Sequence, residues 1–409
     1  MRIFPKMALV MGCFLLFACS NDDSYSDDPD DGDTQNDNDN QSGGDTDAGG
    51  DDTVDLSLYF DGSIDLDNLA NYTNQEVPDF IDLDQTGPDY ITDAGATLGR
   101  VLFYDTNLSS NNTLACASCH RQENGFSDLA LASTGVNGST GRHSMRLINS
   151  RFSNEGRFFW DERALSLEDQ STQPIRDHNE MGFSGEAGAP DFDDLLARIQ
   201  DIEYYPLLFT AAFGDDSITE VRMQQALGQF ISSIQSFDSR FDEGRATAPN
   251  DGAPFANFSA QENQGKQLFL APPDFNGAGE RIGGGVGCAG CHRAPTFSID
   301  PASLNNGVIG VLSDPGATDL TNTRSPSLHD IQNNGPFFHD GSASSLAAVV
   351  EHYNNGIELN ANLDPRLRPG GNPQRLNMTT AEIDALIAFL ETLSGSAVYT
   401  DTKWSDPFL

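Results

Sequence analysis

After residue 19 the chain has no apolar run long enough to cross a bilayer, which takes about 20 consecutive apolar residues. The body of the protein is therefore expected to be soluble. Basic residues are scarce: Lys and Arg number 22 against 62 Asp and Glu, for a net charge of −40. A surface of that sign repels phosphate backbones and excludes nucleic acid as a partner, while it suits a basic soluble protein. Strand-type alternation of apolar and polar residues is also scarce, so a mainly α fold is expected. Cysteine is rare, at six residues, and where those six stand is the most informative feature of the chain.

Four of them form a pattern that occurs twice, CASCH at 116–120 and CAGCH at 288–292. Cys116 and Cys119 precede His120; Cys288 and Cys291 precede His292. A four-cysteine zinc site would use both pairs but gives no reason for a histidine after each. A thioredoxin-like dithiol expects one such pair in a βαβ setting, which is not found here. In a c-type haem site every part has a task. The thiols form thioethers to the porphyrin vinyl groups, and the adjacent histidine sits under the iron as proximal ligand. Two covalent haems use every body cysteine; zinc and disulfide readings are the alternatives.

Haem attachment of this kind belongs to exported proteins, and residues 1–18 read as a lipoprotein signal peptide, with Arg2 and Lys6 before an apolar run. LFAC then resembles a lipobox, which makes Cys19 the lipidated residue. Ser20 after it favours the outer membrane, so the expected location is the periplasm or the outer membrane, held by the lipid alone. Residues 20–54 hold 13 Asp and no Lys or Arg, and residues 19–54 are expected to be a lipidated, disordered tether.

The remaining body divides into two expected domains, 55–245 and 246–409, each mainly α and wrapped on one haem. An internal repeat supports this division. LGRVLFYD (98–105) precedes the first haem motif and GKQLF (265–269) the second, and 142–170 echoes 324–350 with Trp160 opposite His339. The stretch 242–256 reads as the linker. Ser217 and Glu220 read as a capping box, as do Thr379 and Glu382, with Gly395 closing the helix that follows Thr379.

A haem with one open side can bind peroxide or dioxygen, whereas one with two strong axial ligands only moves electrons. Between His120 and Arg142 there is neither His nor Met, so the first haem is expected to keep an open face. His143 and His178 are the nearest alternatives, each read as an ordinary surface histidine. Cleaving a peroxide bond needs an acid–base group over that face. The segment 158–182 offers Glu162, Glu168, Asp169, Gln170, Asp177 and Glu180, and composition alone does not choose among them.

The two CxxCH motifs, the FFWD-x-RA-x-SL-x-x-Q…P…EMG segment and the PFFHDG segment resemble the bacterial di-haem cytochrome c peroxidase/MauG family, from about residue 85 to 395. The resemblance implies two cytochrome c-like domains related by duplication, a peroxidatic haem on His120 and an electron-transfer haem on His292. It implies Glu180 as the distal acid–base residue, Gln170 as its pocket partner and Trp160 as the route between the haems. It points to Tyr353, fourteen residues after His339, as sixth ligand of the second haem, where typical peroxidases of the family have methionine and MauG has tyrosine. It also implies a calcium ion between the haems, held by carbonyls of Asn334 and Pro336. His143 stands where the family supplies an asparagine, and a histidine is a poor ligand for a hard cation.

The function expected from these residues is reduction of hydrogen peroxide to water, with electrons from a small c-type cytochrome or copper protein. One alternative is a MauG-like oxidase that uses peroxide to oxidise side chains of a partner protein. A second is a non-catalytic di-haem electron carrier.

Overall fold

The computed structural model describes residues 54–299, 303–333 and 335–409. The expected signal peptide, Cys19, the acidic tether and Asn334 lie outside these residues. In chain order the helices are α1 (Asp93–Tyr104), α2 (Cys116–Cys119), α3 (Leu167–Ser171), α4 (Gln173–Arg176), α5 (Phe192–Gln200), α6 (Tyr204–Phe213), α7 (Glu220–Ser233), α8 (Arg240–Thr247), α9 (Ala260–Leu270), α10 (Leu346–Glu351) and α11 (Thr380–Glu391). The strands are two short antiparallel pairs, β1 (Pro273–Phe275) with β2 (Arg281–Gly284), and β3 (His292–Arg293) with β4 (Ser298–Ile299). The fold is mainly α, as the scarcity of alternating patterns predicts.

Two helix pairs set the architecture: α1 packs on α7, and α9 on α11. A glycine at each crossing makes the approach close enough. A Cβ on Gly99 would stand 2.0 Å from the Ala226 carbonyl oxygen, and one on Gly265 would stand 1.9 Å from that of Ala385. Around the first pair lies an apolar core that includes Leu98, Leu102, Phe103, Leu227 and Phe230; around the second lies another with Phe269, Phe297, Leu386 and Phe389. The echo between 142–170 and 324–350 is matched in geometry. Phe158 donates its amide to the Ala164 carbonyl and Phe337 to that of Ala343, while Phe159 and Phe338 have φ of 67° and 69°.

Thr379 and Glu382 form the expected reciprocal cap of α11. The other expected box does not form. Thr219 caps α7 by accepting from Arg222 N, because Ser217 N already donates to Asp215 and the Glu220 carboxylate holds Arg176. Gly395 does not close α11, whose C-cap is Thr392; it donates its amide to Asp330. The expected linker 242–256 is helical in its first part, as the end of α8. Residues 397–409 pack back on the first core, where Val398 and Trp404 are buried. Among the described residues no helix is long and apolar enough to cross a membrane.

Candidate active site

Both CxxCH histidines are prepared in the same way. His120 Nδ1–H donates to the Phe126 carbonyl at 3.0 Å, and His292 Nδ1–H to the Phe297 carbonyl at 3.1 Å. Each carbonyl is turned inward by a fully buried phenylalanine in the left-handed region, φ 58° at Phe126 and 50° at Phe297. That conformation costs a bulky residue about 1–3 kcal/mol, and the core that seals each ring holds it in place. The bond fixes the tautomer and leaves Nε2 free as a ligand. Burial lowers both imidazoles, His292 to about 4, so both are neutral at pH 7, as ligation requires. No disulfide joins Cys116 to Cys119 or Cys288 to Cys291. Among the described residues no three His, Cys, Asp or Glu side chains converge on a metal-sized site, so the two pairs do not form one zinc centre.

A cavity of about 340 Å³ opens over the first motif. Cys116, Cys119 and His120 line it together with Trp160, Gln170 and Glu180. Of the six candidates in 158–182, only Gln170, Asp177 and Glu180 face this space. Glu168 is taken up by Tyr90, and Glu162 is buried elsewhere and accepts from Asn322. Glu180 follows a turn in which Asp177 caps its amide. Burial and then the charge of Asp177 push its carboxyl up to about 7, with Arg163 opposing. A carboxyl at that value can both take and give a proton near neutral pH.

A second cavity, of about 100 Å³, is lined by His292, Tyr353 and Pro336. Tyr353 sits in a single π-helical turn after α10, His352–Gly356. Its hydroxyl accepts from Asn306 at 3.3 Å, and burial raises its phenol. The neighbouring His352 points elsewhere, to the Asn306 carbonyl. Trp160 lines both cavities. Its Nε1 donates to the His143 carbonyl at 2.7 Å, and its ring meets His339 edge-on at 6.4 Å.

Two wall residues, Arg146 and Arg324, escape the sequence reading, and His143 is misplaced by it. His143 is no surface histidine: it is buried, and its Nδ1 is bonded to the Ala130 carbonyl. His178 bonds Ser184 and lines neither cavity. Arg146 and Arg324 are buried and border both cavities. Nε and Nη1 of Arg146, and Nε of Arg324, have no partner. Burial lowers both guanidiniums, Arg324 to about 10. Unpaired buried cations are costly, and the propionate carboxylates of haem are the groups that would satisfy them. The residues present therefore fit two haems. Of the residues expected at the calcium position, Pro336 lines the second cavity and Asn334 lies outside the described residues.

The model of di-haem cytochrome c peroxidase matches residues 93–248. The methylamine utilization protein MauG of Methylophilus methylotrophus is 32% identical over 338 residues, covering 78% of this chain and 88% of its own. Cytochrome c551 peroxidase of Nitrosomonas europaea is 27% identical, over 73% and 80% of the two chains. Among solved structures, a MauG-like protein associated with microbial copper homeostasis superposes with a TM-score of 0.61 at 25% identity, over 82% of this chain and 99% of its own. A Y463M variant of a diheme peroxidase from Burkholderia thailandensis gives 0.58 at 20% identity, over 82% and 93%.

Proposed function

Because this chain belongs to the di-haem cytochrome c peroxidase and MauG family, we propose that it reduces hydrogen peroxide to water with electrons from a small periplasmic donor protein. The observation that carries this reading is Glu180, whose carboxyl is raised to about 7 in the cavity that His120 lines. When bound, the first haem would supply an iron face open to peroxide and the second a relay for electrons. Cys116 and Cys119 would hold the one and Cys288 and Cys291 the other, with His120 and His292 as ligands through Nε2. Glu180 takes the proton of the near peroxide oxygen and returns it to the far one as the bond breaks. Gln170 places a hydrogen-bonding amide in the same space. Trp160, held by the His143 carbonyl, is the route for charge between the two cavities. Reduction of each peroxide consumes two electrons and two protons.

The matched helix pairs and hairpins support descent of 55–245 and 246–409 from one duplicated domain. On the same reading, Cys19 carries the lipid that keeps the protein in the periplasm or on the outer membrane.

One observation favours a second reading. Tyr353 lines the second cavity beside His292, and a phenolate there would favour the higher iron states that a MauG-like oxidation of a partner protein requires. The deciding experiment is an optical and near-infrared spectrum of the oxidised protein, before and after one equivalent of peroxide, followed by turnover with a reduced c-type cytochrome. Peroxidase predicts cytochrome-dependent peroxide consumption. The oxidase predicts an immediate change at both haems with little cytochrome turnover. A spectrum that peroxide leaves unaltered, in the oxidised and the half-reduced protein alike, would reduce the chain to an electron carrier.

A further inference from the structure

A line of three tyrosines lies outside both cavities and has no part in the chemistry above. Tyr204 and Tyr205 open α6 and are buried, with ring centroids 4.7 Å apart. Both hydroxyls donate to one atom, Asp105 Oδ2, at 2.8 and 2.6 Å. Asp105 is itself buried, and its other oxygen accepts the two amides of Asn107. From Tyr204 the line continues to Tyr59, edge-on at 5.0 Å. The Tyr59 hydroxyl lies at the surface and donates to Glu203 at 2.9 Å. At the inner end, Cys116 packs against the same core as Tyr205.

Buried tyrosine hydroxyls need a partner, but a neutral acceptor would serve for packing. Here every phenol in the line has a carboxylate, and the two inner ones share a single oxygen. One-electron oxidation of a phenol makes it a strong acid, so the step needs a base already in hydrogen-bonding contact. We propose that Tyr205, Tyr204 and Tyr59 carry oxidising equivalents from the first haem site to the surface, where Tyr59 oxidises small phenolic reductants.

The oxidant is the peroxide-treated first haem, so the proposal rests on the peroxide reading. Tyr205 gives it one electron and passes its proton to Asp105. Tyr204 then reduces Tyr205; Asp105 returns that proton and takes the one from Tyr204 at the same oxygen. Tyr59 reduces Tyr204 in turn, with its own proton going to Glu203 and the proton on Asp105 going back to Tyr204. The external phenol restores Tyr59 by giving up one electron; Glu203 returns its proton to Tyr59, and the proton of the phenol leaves to water.

The test uses the full-length, haem-loaded protein with one equivalent of peroxide, no protein donor, and a nitroso spin trap read by peptide mass mapping. The expected result is a trap adduct on Tyr59 that falls at least tenfold in Tyr204→Phe. In Tyr59→Phe, whose lost hydroxyl lies at the surface, the peroxide-induced optical change is expected to persist while guaiacol oxidation falls at least tenfold. Wild-type adduct at Tyr59 in Tyr204→Phe overturns the proposal, as does undiminished guaiacol oxidation in Tyr59→Phe. An optical change with no Tyr59 adduct in the wild type overturns it alone. No optical change at all overturns the peroxide reading together with it.

Discussion

At Glu180, burial and the charge of Asp177 act in the same direction, and both favour the protonated carboxyl. The proposed role begins with accepting a proton, so on that proposal the active form is the carboxylate. Because the carboxyl is raised to about 7, kcat/KM for peroxide is expected to fall as the pH drops through that value. Glu180→Gln should lower kcat/KM about 10²–10⁴-fold and abolish this acid limb, as a pH–rate profile of both proteins would show. At Tyr353 the expected change is in potential. Methionine ligation raises haem potentials, so Tyr353→Met should shift the midpoint of the second haem upward in a redox titration; an unchanged midpoint would mean that the phenol is not a ligand. The cysteines and histidines of the two motifs were legible because haem chemistry fixes their spacing along the chain. His143, Arg146 and Arg324 were not, because burial is decided by segments far away in sequence: the His143 amide is bonded to the His339 carbonyl, and Arg146 donates to the Ser327 carbonyl.

The helices show which local signals survive folding. The box at Thr379 formed although Arg281 also holds Glu382, because Arg281 takes Oε1 and leaves Oε2 to the cap. The one at Ser217 did not, because Arg222 holds Asp215 in a surface ion pair and Glu220 is drawn to Arg176. The start of α7 therefore moved to the next residue able to cap it. Thr379→Ala should cost about 1 kcal/mol, read from the denaturant midpoint. The two glycine crossings carry more. Gly99→Ala and Gly265→Ala each drive a methyl into a backbone carbonyl of the facing helix, and overpacking of that kind costs about 3 kcal/mol. Each should lower the denaturation midpoint, while alanine at the exposed Gly277, which has open space around it, should change little. Nothing in the pattern LGRVLF or GKQLF announces a helix crossing. The signal was the recurrence of glycine at the same place in both halves.

Across the whole molecule, the charge of −40 sets how partners arrive. Attraction to a basic donor reaches about 30 Å at 0.01 M salt but only about 10 Å at 0.1 M. The kcat/KM for a cationic cytochrome should therefore fall steeply over that range, whereas the rate with peroxide and a neutral donor should stay flat. Stopped-flow traces at several ionic strengths would separate the two. The mainly α class was readable from the scarcity of strand-type alternation, and the two-haem plan from the paired CxxCH motifs. The return of 397–409 to the first core was not, since nothing local marks those residues as belonging to it.

That return sets an order of assembly. Trp404 fills the first core and bonds Ser233, Gln122 reaches the Val398 and Asp401 carbonyls, and Arg100 meets Ser405 across 305 residues. In chain order the segment bearing Cys116 and Cys119 comes long before 397–409, which complete the core around it. The wall of the first haem pocket is thus finished only when 397–409 dock, whatever the order in which the segments between them fold.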